Sequence, residues 1–474
     1  MDFSKDLSVV ILAAGKGKRM RSETPKVLHK VCGRPMIYYI LKQIPGLEPK
    51  NVFVVAGHKK QLLKNYLDNE FAFVRIIEQD KQLGTGHAVK MVRDGAGDFG
   101  GSILVLGGDS PLITRETLES LISLRDRENA AAAILTSIVE DPSGYGRTVK
   151  NKNGKVIRIV EEADADFSEK KINEINSSVY CFDTKLLFEN IDSVDTNNSQ
   201  GEYYLTDMIE TLIKKGHKVS TFTVADHNEV KGINDRSQLS ETEKIIRKKI
   251  NMRLMENGVT IVDPDSAYIE DTVQIEPDTV IEPSCFLKGK TIIGKNCTIG
   301  PFSQLSDTIV GRESMINSSV IIGAEIGAEN NIGPYSYIRP NTKTGQRVKI
   351  GAFCEIKKSI IDDGSKVPHL SYVGDTEIGK DVNIGASSVT VNYNGFSKSK
   401  TIIEDDVFIG SDTMLIAPIR IGRGAIVAAG SVITRDVGEN VMAIERTKQK
   451  NIRKGAIKYK IRKNKDQEKI RDET

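Results

Sequence analysis

The sequence has no tryptophan, only five cysteines, and no apolar stretch approaching the ~20 residues that would span a bilayer. The cysteines, Cys32, Cys181, Cys285, Cys297 and Cys354, are odd in number and form no CxxC pair. A disulfide framework and a four-cysteine zinc site are therefore not readable, and a reducing compartment is expected. The apolar run from Leu7 to Ala14 is interrupted by Ser8 and followed at once by Gly15, Lys16 and Gly17, which suits a buried strand and turn rather than a signal peptide. A cytoplasmic location without membrane insertion is the expectation. A dominant charge sign is missing too. Lys and Arg number 67 against 64 Asp and Glu, and the resulting +3 is too near balance for a protein whose main task is neutralising a nucleic-acid backbone. No nucleic-acid partner is expected, and small anionic ligands stay open.

What the chain does have is length and glycine. Its 474 residues exceed a single domain of ~150. Hydrophobic residues at 39% and charged residues at 28% exclude disorder, and 40 glycines call for many turns. Up to about residue 235 the runs Val9–Leu12, Val52–Ala56 and Ile103–Leu106 alternate with helix-like stretches from Met36 to Gln43 and from Thr114 to Glu128. Continuous apolar strands separated by helices predict an α/β, Rossmann-like domain with a parallel sheet, whose ligands sit at the carboxyl ends of the strands. Leu239, Ile246, Ile250 and Leu254 then recur at helical spacing among charges, which predicts a connecting helix.

After residue 260 the period becomes six. Ile269, Ile275, Ile281, Leu287, Ile293, Ile299 and Leu305 keep unbroken register. The beat returns at Val310, Ile316 and Ile322, at Ile326, Ile332 and Ile338, and from Ile403 through Ile409, Leu415, Ile421 and Val427 to Ile433. Seven consecutive positions at this spacing, with glycine often following the apolar residue along the repeat, predict a parallel β-helix of hexapeptide repeats. The beat fails between Ala386 and Thr401, where Asn392-Tyr393-Asn394-Gly395 predicts an external loop. From about Glu445 the chain is rich in Lys and Arg with little apolar periodicity, as expected of a solvated tail. The expected domains are residues 1–236, a linker helix over 237–257, and residues 258–474.

The first strand leads into Leu12-Ala13-Ala14-Gly15-Lys16-Gly17-Lys18-Arg19-Met20, and Pro25-Lys26 closes the segment. A glycine-rich turn after a strand presents backbone N–H groups to phosphates, and Arg19 and Lys26 add positive charge. This string resembles the nucleoside-diphosphate-sugar pyrophosphorylases. With the repeat, residues 7 to about 450 are similar to the bifunctional family that joins an N-acetylglucosamine-1-phosphate uridyltransferase to a glucosamine-1-phosphate N-acetyltransferase on a left-handed β-helix.

The resemblance implies a nucleotide site at Leu12, Ala13, Ala14, Gly15 and Lys26, with Gln79, Gly84 and Thr85 on the uracil of UTP. An amide side chain complements a uracil edge. It further implies Gly107, Gly108 and Asp109 at the nucleotide, Asp109 and Asn234 as ligands of Mg²⁺, and Gly146, Glu161 and Asn176 on N-acetylglucosamine 1-phosphate. Relatives commonly carry a larger side chain where this chain has Gly107. Arg19 and Lys26 would offset the charge of two anions during in-line attack on the α-phosphorus.

In the repeat, Arg339 and Lys357 are eighteen residues apart, three hexapeptides, so they are expected to stack ~4.8 Å apart with an anion offsetting their repulsion. The resemblance assigns Arg339, Lys357, Tyr372 and Asn383 to glucosamine 1-phosphate and His369 to the general base. Imidazole titrates near neutral pH, which suits deprotonation of an amine. Pro368 departs from the small residue usual before this histidine. Ala386, Asn392, Tyr393, Ser411, Ala429 and Arg446 match acetyl-CoA positions. The flat sides of a three-faced β-helix, with acetyl-CoA between subunits in the family, predict a homotrimer. A single-activity pyrophosphorylase with a structural or regulatory β-helix would explain the N-terminal motifs but not His369 with Arg339, Lys357 and the Asn392-Tyr393 loop. A non-catalytic subunit would not need Lys26, Asp109 or Asn234.

Overall fold

Leu7–Ala13 (β1) is buried at every position but Leu12, as a strand covered on both faces must be. It lies between Asn51–Ala56 (β2) and Ser102–Gly107 (β4), both parallel to it, and Arg75–Glu78 (β3) extends the sheet beyond β2. The remaining strands are Ala132–Ile138 (β5), Gly146–Lys150 (β6), Val156–Val160 (β7), Glu174–Asp183 (β8) and Val219–Thr223 (β9). The order is β9-β5-β8-β4-β1-β2-β3, with β6 on β8 and β7 on β6. The parallel part matches the apolar runs. β8 enters antiparallel between β4 and β5, which no local pattern announces. Because β2 and β4 flank β1, the turns after β1 and β4 open on the same edge of the sheet, where α/β folds bind ligands. The helix-like stretches form Met36–Leu41 and Arg115–Glu128, the latter capped by Thr114, whose side chain accepts from the Thr117 N–H.

The computed structural model describes residues 6–97 and 99–472. Its backbone separates into one unit of Met1–Arg253 with Tyr268–Thr272 and another of Leu254–Ala267 with Val273–Thr474. The helix Arg236–Glu256 buries Ile246, Ile250 and Leu254 and half-buries Leu239. Among the described residues no helix is long and apolar enough to cross a membrane.

Three parallel sheets of 11, 10 and 9 short strands run along the repeat, from Thr260–Ile261 to Met442–Ala443. Nearly every strand turns one apolar side chain inward, with Thr344 and Thr390 taking that place in two of them, and Ile281, Ile299, Ile316, Ile332 and Ile350 form one internal column. One step differs from the sequence reading. Ile321, not Ile322, fills the interior, because two sides of that coil are five residues long and a one-residue shift turns a strand's side chains over. Coil corners hold buried hydroxyls, and Cys285, Cys297 and Cys354 take that same position with sulfurs 3.2 Å from the carbonyls of Gly300, Gly311 and Val367. All five cysteines are buried and free. The interrupted beat is a small hairpin in which Tyr393 bridges antiparallel to Lys398. The basic segment expected as a solvated tail carries a helix, Gly455–Asp472, since Lys, Arg, Glu and Gln are good helix formers with no proline to stop them.

Candidate functional site

The first site is a cleft of about 600 Å³ at the carboxyl ends of β1 and β4, lined among others by Leu12, Ala14, Gly15, Gln79, Gly84, Thr85, Gly107, Asp109 and Glu161. Of these, Asp109 accepts from the Lys26 ammonium, which also donates, at 2.7 Å, to Asn234 Oδ1. These residues come from three distant segments. Gly17 permits the convergence, since its φ is +56° and a Cβ there would lie 2.8 Å from Lys26 Cβ. Asp109 is tied to the third segment through backbone: Ile233 N–H donates to the Asp109 carbonyl at 2.9 Å, and Asn234 N–H to Gln238 at 2.7 Å. Two oxygens sharing one ammonium are also placed to share a small hard cation, with phosphate oxygens completing its shell. Among the described residues no group of three or more His, Cys, Asp or Glu offers a cage for a metal. Gly108 closes the turn by donating to the Leu12 carbonyl at 2.9 Å. Gly107 has a local reason: a Cβ there would lie 2.6 Å from Asp109 Oδ1, so a larger residue requires the carboxylate to turn.

Across the cleft, Gln79 is buried and donates to the Gly84 carbonyl at 3.1 Å. Gly84 adopts φ +111° and opens the helix Thr85–Ala96, whose N-terminal dipole favours anions. Thr85 Oγ1 accepts from Leu205 N–H at 3.0 Å. On the third wall Gly146 pairs with Asn176, and a Cβ at Gly146 would reach Glu161 Oε2 and Asn176 Cβ at 3.4 and 3.5 Å. A register shift in β8 between Asn176 and Tyr180 brings the Asn176 amide to the Tyr180 hydroxyl at 2.7 Å. Burial raises the Glu161 carboxyl above its ordinary range, against a hydrogen bond from Thr206. Arg147, the residue after Gly146, is buried and bonded to Glu162 at 2.7 Å, so it builds the wall rather than facing the cleft. Arg19 stands exposed on the turn Lys18–Met20 and is not among the residues lining the cleft.

The second site lies on the β-helix. Ile338 pairs with Ile356, which stacks Arg339 and Lys357 on adjacent rungs. Their repulsion is offset within the chain: Arg339 bonds Glu355 at 2.8 Å and Lys357 bonds Asp375 at 3.1 Å. Asp375 also accepts from Asn392 Nδ2 at 2.5 Å, and that amide lies 3.4 Å from the Tyr372 hydroxyl. Gly374 occupies the rung after Lys357. A Cβ there would collide with the Tyr372 hydroxyl and lie 2.7 Å from Asn392 Nδ2, so glycine is what lets the two side chains meet. Lys398, from the hairpin loop, is a third cation, and the hydrogen-bonded Lys357 ammonium beside it pulls its pKa down. Lys398, Glu355 and Asp375 escaped the sequence reading. A lysine in the loop that breaks the six-residue beat was the available signal.

His369 ends the strand Lys366–His369, exposed, directly over Ala352. The register carried on from Lys366 and Asn383 sets Ala386 on the next rung, followed by Ser411 and Ala429. Beyond the histidine this column holds only small side chains over three rung steps, roughly 14 Å. Arg446 closes its far end, donating to the Ala429 carbonyl at 2.9 Å. Pro368 alters the ladder here. In neighbouring coils the equivalent N–H of Gly333, Gly385 or Gly410 donates to the next coil at 2.7–2.8 Å. Proline has no such hydrogen, and only Lys366 and Asn383 remain paired between these strands. Asn383 lies half-buried three residues before Ala386, and Tyr393 stands exposed on the hairpin.

Residues 8–228 match the family described as Nucleotidyl transferase, and residues 400–435 match Bacterial transferase hexapeptide (six repeats). The chain is similar to the bifunctional protein GlmU of Thermoanaerobacter pseudethanolicus, 49% identical over 457 residues that cover 96% of this chain and 99% of the relative. It is likewise similar to the bifunctional protein GlmU of Carboxydothermus hydrogenoformans, 46% identical over 93% of this chain and 98% of that protein. A third relative of the same name, from Clostridium novyi, is 45% identical over 96% and 99% of the two chains.

Proposed function

The chain belongs to the bifunctional GlmU family, and from that premise we propose that it makes UDP-N-acetylglucosamine in two steps, acetylating glucosamine 1-phosphate and then uridylylating the product. The observation that carries this reading is the coexistence in one chain of the Lys26–Asp109–Asn234 cluster with, on the β-helix, both the His369 column and the cations Arg339, Lys357 and Lys398.

In the β-helix, Arg339, Lys357 and Lys398 bind the phosphate of glucosamine 1-phosphate. His369 takes a proton from the sugar amine as the amine nitrogen attacks the acetyl-CoA thioester, and as the carbon–sulfur bond breaks the imidazolium returns that proton to the departing sulfur, releasing the coenzyme thiol. Ala386, Ser411 and Ala429 leave room for the pantetheine arm, while Asn392, Tyr393 and Arg446 stand along the coenzyme. Asn383 and Tyr372 hold the sugar.

In the N-terminal cleft, Gln79 and Gly84 hold the uracil of UTP, and Gly15 and Gly17 bring backbone N–H groups to its phosphates. Gly146, Glu161 and Asn176 hold the N-acetylglucosamine moiety. A phosphate oxygen of the sugar attacks the α-phosphorus in line, and the bond to pyrophosphate breaks. Lys26 offsets the repulsion between the two anions, and Arg19 adds positive charge from the exposed turn Lys18–Met20. Asp109 and Asn234 fit Mg²⁺, which when bound supplies Lewis-acid charge neutralisation. Acetyl-CoA and UTP act as substrates, a homotrimer completes the coenzyme groove, and buried free cysteines suit the cytoplasm.

Supplying glucosamine 1-phosphate, acetyl-CoA, UTP and Mg²⁺ together and identifying every product tests the proposal. UDP-N-acetylglucosamine, pyrophosphate and free coenzyme A are expected. A protein that uridylylates added N-acetylglucosamine 1-phosphate but never consumes acetyl-CoA is a single-activity pyrophosphorylase instead.

A further inference from the structure

Gln79 is 3% exposed, and its amide nitrogen meets two groups at once, the Gly84 carbonyl at 3.1 Å and His87 Nδ1 at 2.9 Å. A carbonyl only accepts, so the end of the amide facing Gly84 is the NH₂ and not the oxygen. The second amide hydrogen then requires His87 Nδ1 to accept, which makes the imidazole neutral with its hydrogen on Nε2. The surroundings agree. Burial and then the Lys90 ammonium lower the His87 pKa, with Asp94 opposing them. His87 does not line the nucleotide cleft. It is packed against the Tyr203 ring and borders a separate cavity of about 480 Å³ with Lys90, Asp192 and Asp195.

With both amide hydrogens committed, the atom Gln79 can offer to the cleft is Oε1, an acceptor. We propose that His87 is a specificity-determining positioning residue: it holds the Gln79 amide so that only its oxygen addresses the base, which selects a pyrimidine carrying an N3–H, as uracil does, over cytosine. Cytosine presents an acceptor at N3, and two acceptors facing each other in a buried site leave both unpaired. Turning the amide over to suit cytosine would set its oxygen against the Gly84 carbonyl and strip His87 of its donor. Without the His87 acceptor one of the two restraints is gone, and the freed N–H gains a partner by turning toward a cytosine. The inference rests on the placement of the base against Gln79 proposed above.

The test uses the full-length enzyme with N-acetylglucosamine 1-phosphate and compares kcat/KM for UTP and CTP. His87→Phe keeps a ring and removes the acceptor; His87→Asn returns an acceptor close to the position of Nδ1. The UTP-over-CTP preference should fall at least about tenfold in His87→Phe and recover in part in His87→Asn, while acetyl transfer stays at the wild-type rate. Gln79→Leu separates the two readings. A preference lost in Gln79→Leu but intact in His87→Phe overturns the role of His87 and keeps the base contact. A preference intact in both overturns the base contact itself. If His87→Phe loses its thermal transition, His87→Leu is read in its place by the same ratio.

Discussion

Replacing Lys357 with methionine keeps the side chain as far as its Cε and removes its charge from the rung next to Arg339. The Lys357 side chain is 17% exposed and that of its partner Asp375 14%, so solvent screens this pair only in part. A unit charge about 4 Å from a phosphate at an effective dielectric of about 20 is worth roughly 4 kcal/mol, and the nearby Asp375 cancels some of that attraction. A loss of about 2–3 kcal/mol remains. At 1.36 kcal/mol per decade, that is roughly a 30- to 160-fold rise in KM for glucosamine 1-phosphate. Asp375 keeps Asn392 at 2.5 Å, so the fold should hold, which circular dichroism can check. The assay follows coenzyme A release at fixed acetyl-CoA while the sugar phosphate is varied, and measures uridylyl transfer on the same preparation. Uridylyl transfer should be unchanged. Lys358→Met serves as the control, since Lys358 is exposed at a corner with φ +46°, and it should shift KM by less than about threefold. A Lys357→Met enzyme whose sugar-phosphate KM stayed within about threefold of wild type would refute an anion site at Arg339 and Lys357.

Asp109→Asn should abolish uridylyl transfer and spare acetylation, and His369→Ala should do the reverse at a cost on the order of 10² to 10⁴ in rate; either substitution removing both activities from a folded protein argues against two independent sites. Gly17→Ala places a Cβ 2.8 Å from Lys26 Cβ at φ +56°, so kcat/KM for UTP should drop about tenfold or more, and a wild-type value would show that Lys26 is not positioned by this turn. Asp207 is pushed up to about 6, chiefly by burial and then by nearby carboxylates. A raised carboxyl pKa means the folded state disfavours the ion, so the wild type loses stability as pH climbs from about 4 to about 6 and stays lower above that. Asp207→Asn should therefore melt higher at pH 8, by about 1–2 kcal/mol after allowing for partial exposure, with no advantage at pH 3.5. An advantage confined to acid would show the sign to be wrong.

Periodicity alone was enough to read the β-helix, because each inward Ile, Leu or Val answers to a rule that repeats locally along the chain. The turn at Gly15–Gly17 and the strands around it were legible for the same reason: a strand buried on both faces must be apolar throughout, and a phosphate turn must be small. Where the rule slips by one residue, as at Ile321, the sequence offers two adjacent isoleucines, and only the register with neighbouring coils decides which one faces in. The antiparallel entry of β8 and the bulge that aims Asn176 depend likewise on partners remote in sequence. The sites depend on them most. His369, Ala386, Ser411 and Ala429 are separated by 17, 25 and 18 residues, an irregular series that becomes one column only when the intervening hairpin is folded outward. Asp375 and Glu355 carry no pattern, since a charged side chain on a coil looks the same in sequence whether it meets solvent or another charge. What the chain determines locally is which face of each strand is apolar. Which charges converge on one point is decided by tertiary structure, because electrostatic energy falls with distance in space and is indifferent to distance along the chain.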